Sequence, residues 1–199
     1  MALFSTAIDR AYKSCMTALL PKYIQLESVN TSQLLSENGR MLKRQELHEE
    51  IEDIKERAYS EINSAYSSYA ERVERNFSAI SGKDIDNSDF KLLKEDLVKL
   101  TQKEFEVICS RYKGNYLMMK ALDEYTNSHS TLHMPYAYAT KEEKLFKAED
   151  ARRFFCDNVR SCIPVHSGSD RKISEIKSYD YETYIAMNGI AELDEICSE

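Results

Sequence analysis

The sequence predicts an all-α protein built around one long central helix. Gly and Pro are scarce, at five and three residues in a chain of 199, so the tight turns that β-rich and Rossmann-like folds need are few. No stretch shows a useful length of the alternation between apolar and polar residues that indicates a strand. The predicted architecture is a long central helix in an antiparallel helical hairpin, followed by a cluster of shorter C-terminal helices.

The long helix is predicted for Met41 to Ser81, a stretch that contains neither Pro nor Gly. Its apolar residues recur at steps of three or four, which places them along one face of a helix. A helix of about 40 residues is roughly 60 Å long. Leu47, Ala58 and Tyr69 lie eleven residues apart. That spacing favours a nearly straight helix over a leucine zipper.

Seven residues of this helix form an apolar stripe that we call the seam, and we predict that the seam is a protein interface. An uncovered stripe of this length would exceed the apolar patches that monomers tolerate, and the rest of the chain offers only short helices to cover it. The alternative is that the long helix packs along its own chain. The seam consists of Ile51, Ile54, Ala58, Ile62, Ala65, Tyr69 and Val73.

The first 40 residues are predicted to form the second arm of the hairpin. Ser5 can cap a first helix, and Pro21 either kinks this helix or starts another one. The run from Ser36 to Gly39 is the clearest turn signal in this half of the chain, with Gly39 expected as the left-handed residue that ends a helix. A short arm that reverses onto a long helix makes an antiparallel hairpin.

The polar stretch from Lys83 to Ser88 is the predicted boundary between two domains, residues 1–82 and residues 83–199. In the second domain, capping boxes that begin at Thr101 and Thr140 predict two helix starts. Gly114 either separates two helices or lies inside a continuous one. The helix after Thr140 should stop before Pro164, with a loop at 165–170 and one or two closing helices over 173–196.

The charge of the chain is uneven along its length. Net charge is −7, yet residues 180–199 hold six acidic side chains and no Lys or Arg. No basic stripe suited to a phosphate backbone is present, so we expect no direct nucleic-acid binding. No apolar run approaches the roughly 20 residues that span a membrane. The five scattered cysteines suit an intracellular chain with reduced thiols, and we expect no membrane association.

Two histidines form the nearest approach to a metal motif. His129 and His133 are four residues apart and would share one face of a helix. The Ser and Thr residues between them and the nearby Pro135 favour a loop instead. Cys156 and Cys162 could join them, but a gap of six residues on a helix turns two thiols apart. The sequence therefore predicts no metal site.

Other constellations that carry chemistry are weak. The chain has no Gly-rich phosphate loop and no Gly-x-Ser-x-Gly elbow. Each cysteine lies at an apolar helical position, which predicts buried, unreactive thiols. The carboxylates of the long helix fall on different faces and do not converge, so a solvated face is predicted: Glu49, Glu50, Glu52 and Asp53. We therefore expect no enzyme activity and no cofactor.

One part of the chain resembles small helical proteins of tailed bacteriophages and prophages, which are taken as virion or assembly components. The resemblance covers at most residues 41–127 and includes a long charged helix upstream of the motifs. Those motifs are Asp89–Leu93, Leu100–Glu104, Arg111–Tyr116 and Ala121–Tyr125. The resemblance implies a structural or assembly role in a virion or in the host cytoplasm.

Two functions are therefore expected from the sequence. The first is a non-enzymatic structural or assembly protein, a phage head or tail component or assembly factor, that acts through helix–helix contacts in a homo-oligomer or larger particle. The second is a cellular, cytoplasmic helical adaptor or regulatory protein that binds one protein partner along the long helix. The mass of the protein in solution distinguishes these two hypotheses.

Overall fold

The computed structural model describes residues 4–78, 86–95, 99–112, 115–135, 140–168 and 172–178. Of these described residues, 78 % are helical, which confirms the predicted all-α class. The helices are α1 (Phe4–Thr31), α2 (Glu37–Ser78), α3 (Asn87–Lys94), α4 (Gln102–Arg111), α5 (Tyr116–Ser128) and α6 (Lys141–Ser161). A short hairpin of β1 (Ile163–Ser167) and β2 (Lys172–Lys177) follows.

The chain divides into two compact units. Unit 1 contains Met1–Ala70 and Phe146–Ser198, and unit 2 contains Glu71–Leu145. Helices α2 and α6 each begin in one unit and end in the other. This division differs from the predicted boundary after residue 82, because most of α6 returns to pack with α1 and α2. Periodicity identifies apolar faces but does not say which faces meet.

In unit 1, α1 and α2 form the predicted antiparallel hairpin. The rings of Phe4 and Tyr69 lie 4.6 Å apart. Lys22 Nζ lies 2.8 Å from a carboxylate oxygen of Glu50. The partner residue on α2 moves toward the start of α2 as the position on α1 advances, which defines the antiparallel pairing.

Helix α6 adds a third helix beside this hairpin. Arg152 donates a 2.9 Å hydrogen bond to the amide oxygen of Asn63 on α2, and the Arg160 guanidinium lies 6.0 Å from the ring centre of Tyr59. Because the partner on α2 again moves backward as α6 advances, α6 is antiparallel to α2 and parallel to α1. The rings of Tyr12 and Phe155, 5.6 Å apart, join α1 to α6.

Helix α1 runs through Pro21 and continues to Thr31, so of the two alternatives for Pro21 the start of another helix is excluded. The turn between α1 and α2 corrects the prediction for Gly39. Gly39 does not end a helix, since it lies in the first turn of α2 and donates its amide to the hydroxyl oxygen of Ser36 at 3.2 Å. A Cβ atom at position 39 would lie only 3.3 Å from that oxygen. Glycine therefore leaves room for the cap that starts α2.

The sequence prediction was wrong at the C-terminal hairpin, because β1 includes residues 165–167 of the predicted loop and β2 replaces the start of the predicted closing helix. Residues 169–171 lie outside the described residues. Strand β2 pairs antiparallel with β1, with a register shift at which Val165 faces Glu175 while His166 faces Ile173. The extra residue, Ser174, is a bulge that lets Ile173 and Ile176 share a face. Their three-residue spacing therefore mimics a helix. The predicted helical positions 179–196 lie outside the described residues.

Unit 2 contains a second apolar core formed by α3, α4 and α5. Asn115 caps α5 by accepting the amide of Met118 at 3.1 Å, so α4 and α5 are separate helices and the alternative of one continuous helix through Gly114 is excluded. Asp89 on α3 accepts hydrogen bonds from Arg111 at 2.6 Å and from the Tyr112 hydroxyl at 2.9 Å. The core comprises Leu93, Phe105, Ile108, Cys109, Tyr112, Met118, Met119, Ala121, Leu122, Tyr125 and Leu132.

Removing the cap of α4 should destabilise unit 2. The capping box is formed as predicted, with the Thr101 hydroxyl accepting the Glu104 amide and the Glu104 carboxylate accepting the Thr101 amide. We expect Thr101→Ala to lower the free energy of unfolding by about 1 kcal/mol, measured by urea denaturation. Thr131→Ala, at an exposed loop threonine, is the matched control and should have little effect. Equal stability of the two variants would contradict this role of Thr101.

The stability of unit 1 should depend on pH through Glu149. Hydrogen bonds from Arg152 and the neighbouring Arg153 lower the pKa of Glu149 from 4.5 to about 2. A lowered folded-state pKa gives stability that is complete above the unfolded pKa and is lost as pH falls toward 2. We expect Glu149→Gln to cost about 1 kcal/mol at pH 7 and almost nothing near pH 2.

Denaturation curves at several pH values check this expectation. Glu56→Gln, at an exposed glutamate on α2, serves as the control. A cost of Glu149→Gln that stays constant between pH 7 and pH 2 would show that the ion pair is not its source.

Candidate interaction surface

The seam predicted as a protein interface is buried inside the single chain. Exposure is 2 % for Ile51, 0 % for Ile62 and 0 % for Tyr69. Ile54, Ala58 and Val73 are also buried, while Ala65 is half-buried. Val73 belongs to unit 2, and the other six belong to unit 1.

Two helices of the same chain pack beside the seam in unit 1. Phe4 of α1 packs its ring on Tyr69. On another side, Arg152 of α6 reaches Asn63 and lies 5.6 Å from the ring centre of Tyr66. The structure therefore favours the alternative in which the long helix packs along its own chain. A second chain is not needed to bury the seam, and contact of the seam with another chain stays a prediction.

A different surface emerges at the far end of the α1–α2 hairpin. Leu19 is the last fully buried residue of α1, and Leu47 is the first of α2. None of the residues 20–46 between them is buried, and we call this segment the arm. The arm residues of α2, from Glu37 to Glu46, form about 15 Å of helix. The arm is thus a helical hairpin without an apolar core of its own.

Polar contacts join the two helices of the arm near its end. Arg44 donates a 2.6 Å hydrogen bond to the side-chain oxygen of Asn30. Arg40 reaches the backbone carbonyl of Ser32 at 3.3 Å. These hydrogen bonds join the two helices at the end of the hairpin, and the apolar side chains there remain exposed to solvent.

The end of the arm, residues 32–45, is called the tip. It carries an apolar patch, which we define as Leu34, Leu35, Met41 and Leu42. Leu34 is 97 % exposed, Met41 and Leu42 are each 60 % exposed, and Leu35 is 39 % exposed. Exposing large apolar side chains to water is unfavourable in free energy. Contiguous apolar patches of a few hundred Å² on monomers commonly mark interaction sites. The tip is therefore the strongest candidate binding surface among the described residues.

The tip is basic, although the chain as a whole is acidic. From residue 32 to residue 45 there are three basic side chains, Arg40, Lys43 and Arg44, and one acidic side chain, Glu37. Arg40 and Arg44 donate to neutral oxygen atoms, so these contacts do not neutralise their charges. Lys43 pairs with Glu46 at 2.6 Å on the exposed surface of α2. The tip thus combines an apolar patch with positive charge.

The sequence analysis missed this surface, although a signal was present. Leu34 and Leu35 are adjacent apolar residues inside a turn between two helices, and Met41 and Leu42 are flanked by basic residues. Turns are usually polar, so a Leu-Leu pair in a turn indicates a candidate binding surface. The interface prediction was based on apolar residues at helical spacing along α2 instead.

The two histidines lie where a loop was predicted, and both are engaged structurally. His129 follows the end of α5, stacks on Tyr125 with ring centres 4.1 Å apart, and holds Nδ1 3.0 Å from the Tyr125 carbonyl oxygen. The backbone of His133 exchanges two hydrogen bonds with the Gln102 side chain, of 2.9 and 3.0 Å. Within the described ranges, no group of three or more His, Cys, Asp or Glu side chains could hold a metal ion.

Three cysteines are buried as predicted, namely Cys15, Cys109 and Cys162, while Cys156 is half-buried. Burial raises the pKa of the Cys15 thiol to about 12 and that of Cys109 to about 11. A thiol with so high a pKa carries almost no thiolate at neutral pH and is a poor nucleophile. Cys197 lies outside the described residues.

The carboxylates at 49, 50, 52 and 53 are exposed, as predicted for a solvated face. Two of them form surface ion pairs, Glu50 with Lys22 at 2.8 Å and Glu52 with Lys55 at 3.2 Å. Exposed pairs of this kind contribute little stability. They do create a strongly acidic surface next to the basic tip.

Comparison with protein-family models, curated protein sequences and solved structures gives no match. Among the described helices, none has the length and apolar content needed to cross a bilayer.

Placing a charge in the seam should destabilise the monomer itself. Tyr69 is fully buried against Phe4, and burying a carboxylate without a partner costs several kcal/mol. We expect Tyr69→Glu to lower the melting temperature strongly, as measured by circular dichroism. Ser68→Glu, at the adjacent exposed residue, is the matched control and should melt like the wild type. A Tyr69→Glu protein that keeps its melting temperature but loses assembly would instead support the seam as an interface.

Proposed function

We propose that this protein is a non-enzymatic structural or assembly protein that acts through helix–helix contacts with other protein chains. The observation that carries the proposal is the arm, a helical hairpin whose apolar tip is exposed, whereas residues 4–19 and 47–69 of the same hairpin contribute buried side chains to the core of unit 1. A contiguous exposed apolar patch commonly marks a contact with another molecule. It suits a protein whose working form is an oligomer or a larger particle.

The resemblance of residues 41–127 to helical phage proteins supports the same role. On this proposal the protein is a head or tail component or an assembly factor of a phage, located in the virion or in the host cytoplasm. It works without a cofactor and without direct contact to nucleic acid or a membrane. The partners are protein chains, including further copies of this one.

The geometry of unit 1 also bears on the alternative, a helical adaptor that binds one partner along the long helix. The seam is buried, so such a partner would have to bind the arm. An adaptor of this kind would remain a monomer or a dimer without its partner. The two functions therefore differ in the mass of the purified protein.

Light scattering coupled to gel filtration tests the proposal over a range of protein concentrations. We expect species larger than a dimer, whose mean mass rises with concentration, because assembly through a small surface follows mass action. A protein that stays monomeric or dimeric at every concentration would favour the adaptor.

A further inference from the structure

Two features are not explained by the fold. One is the basic, apolar tip of the arm. The other is the acidic C-terminal segment, residues 180–199, which contains six carboxylates and no basic residue. The two features have complementary chemistry.

We propose that the tip of one copy binds the segment 180–199 of a second copy. The inference rests on the proposed assembly function and names the contact that would produce it. Each copy then contributes a tip to one neighbour and a C-terminal segment to another. Such a head-to-tail contact is heterologous, so repetition gives a ring if it closes and a filament if it does not.

Apolar complementarity is the first argument. The tip exposes Leu34, Leu35, Met41 and Leu42, which together form a patch of several hundred Å² by order of magnitude. Segment 180–199 is rich in apolar residues of similar size: Tyr184, Ile185, Met187, Ile190, Leu193 and Ile196. A segment of 20 residues has the length to supply the roughly 800 Å² per partner that a standard interface buries.

Charge complementarity is the second argument. Arg40, Lys43 and Arg44 lie next to the apolar residues of the tip in the sequence, and carboxylates of the segment such as Glu192, Asp194 and Glu195 carry the opposite charge. The next stretch of α2, from Glu46 to Asp53, contains five acidic residues and no Lys or Arg. That stretch repels an acidic segment, so electrostatics direct the segment to the tip and away from the rest of α2.

We assign the segment to a second copy because of the exposure and the charge of the tip. The tip side chains are exposed in the single chain, with Leu34 almost completely accessible. Among the described residues, none covers the tip. A contact between two identical tips would place basic residues 40–44 of both copies close together, and this like-charge juxtaposition disfavours a symmetric tip-to-tip dimer.

Two variants of the full-length protein test the contact by sedimentation velocity. The tip variant carries Leu34→Asp and Leu42→Asp, at residues too exposed to matter for the core. The tail variant carries Glu192→Lys, Asp194→Lys and Glu195→Lys. The matched control, Ser60→Asp with Ser64→Asp, places two carboxylates on an exposed part of α2 outside the arm. Circular dichroism checks that each variant is folded. If the helical signal of the tip variant falls, the single substitution Lys43→Glu is used in its place.

We expect the wild type and the control to assemble as concentration rises, and high salt to weaken assembly by roughly tenfold through screening. Each variant alone should stay monomeric, because one half of every contact is missing. An equimolar mixture of the two variants should form a heterodimer and stop there, since the tail variant supplies an intact tip and the tip variant supplies an intact segment.

Other outcomes separate the possible failures. If the wild type assembles and the tail variant assembles equally well, the assembly function stands and the tip-to-segment contact is wrong. Dimers of the tail variant that disappear in the tip variant would indicate a tip-to-tip contact. A wild type that is monomeric at all concentrations would overturn both this inference and the proposed function.

Discussion

The burial of one apolar stripe on α2 determines the structure of unit 1. A helix of 42 residues cannot bury its apolar face alone, and helices in folded proteins derive most of their stability from such burial. Helix α1 supplies one wall of cover through contacts such as Phe4 with Tyr69. Helix α6 supplies another through Arg152 and Arg160. The positions of both helices follow from the need to cover this stripe.

The ends of that cover decide which surfaces remain for other molecules. Arg160, near the end of α6, lies over Tyr59, while α2 begins at Glu37. Beyond the short strands that follow α6, the α1–α2 hairpin continues as a pair of helices. Among the described residues no third helix lies on this part of the hairpin, and two helices alone expose part of their apolar residues. The exposed tip is therefore a consequence of the length of the hairpin relative to α6.

Local signals in the sequence predicted local structure well, and failed where distant residues decide. Thr101 and Asn115 mark helix starts through hydrogen bonds to amides two or three residues away, so a short window contains the information. The partners of the seam lie on other helices, as Phe4 does for Tyr69, and periodicity cannot identify them. The β-hairpin was hidden because the bulge at Ser174 gives Ile173 and Ile176 the spacing of a helix. The exposed tip was not predicted, because the solvent exposure of a side chain depends on the whole fold.

The order of charges along α2 connects the fold to the proposed assembly function. Basic residues occupy 40–44 and acidic residues occupy 46–53, so the sign changes close to Leu47, where the core begins. Were the basic residues inside the covered part, they would have to be paired or desolvated. Placed on the arm, they stay hydrated in the single chain and remain able to attract an acidic partner. Apolar side chains alone would make the tip adhere to any apolar surface, whereas the positive charge around them makes it selective.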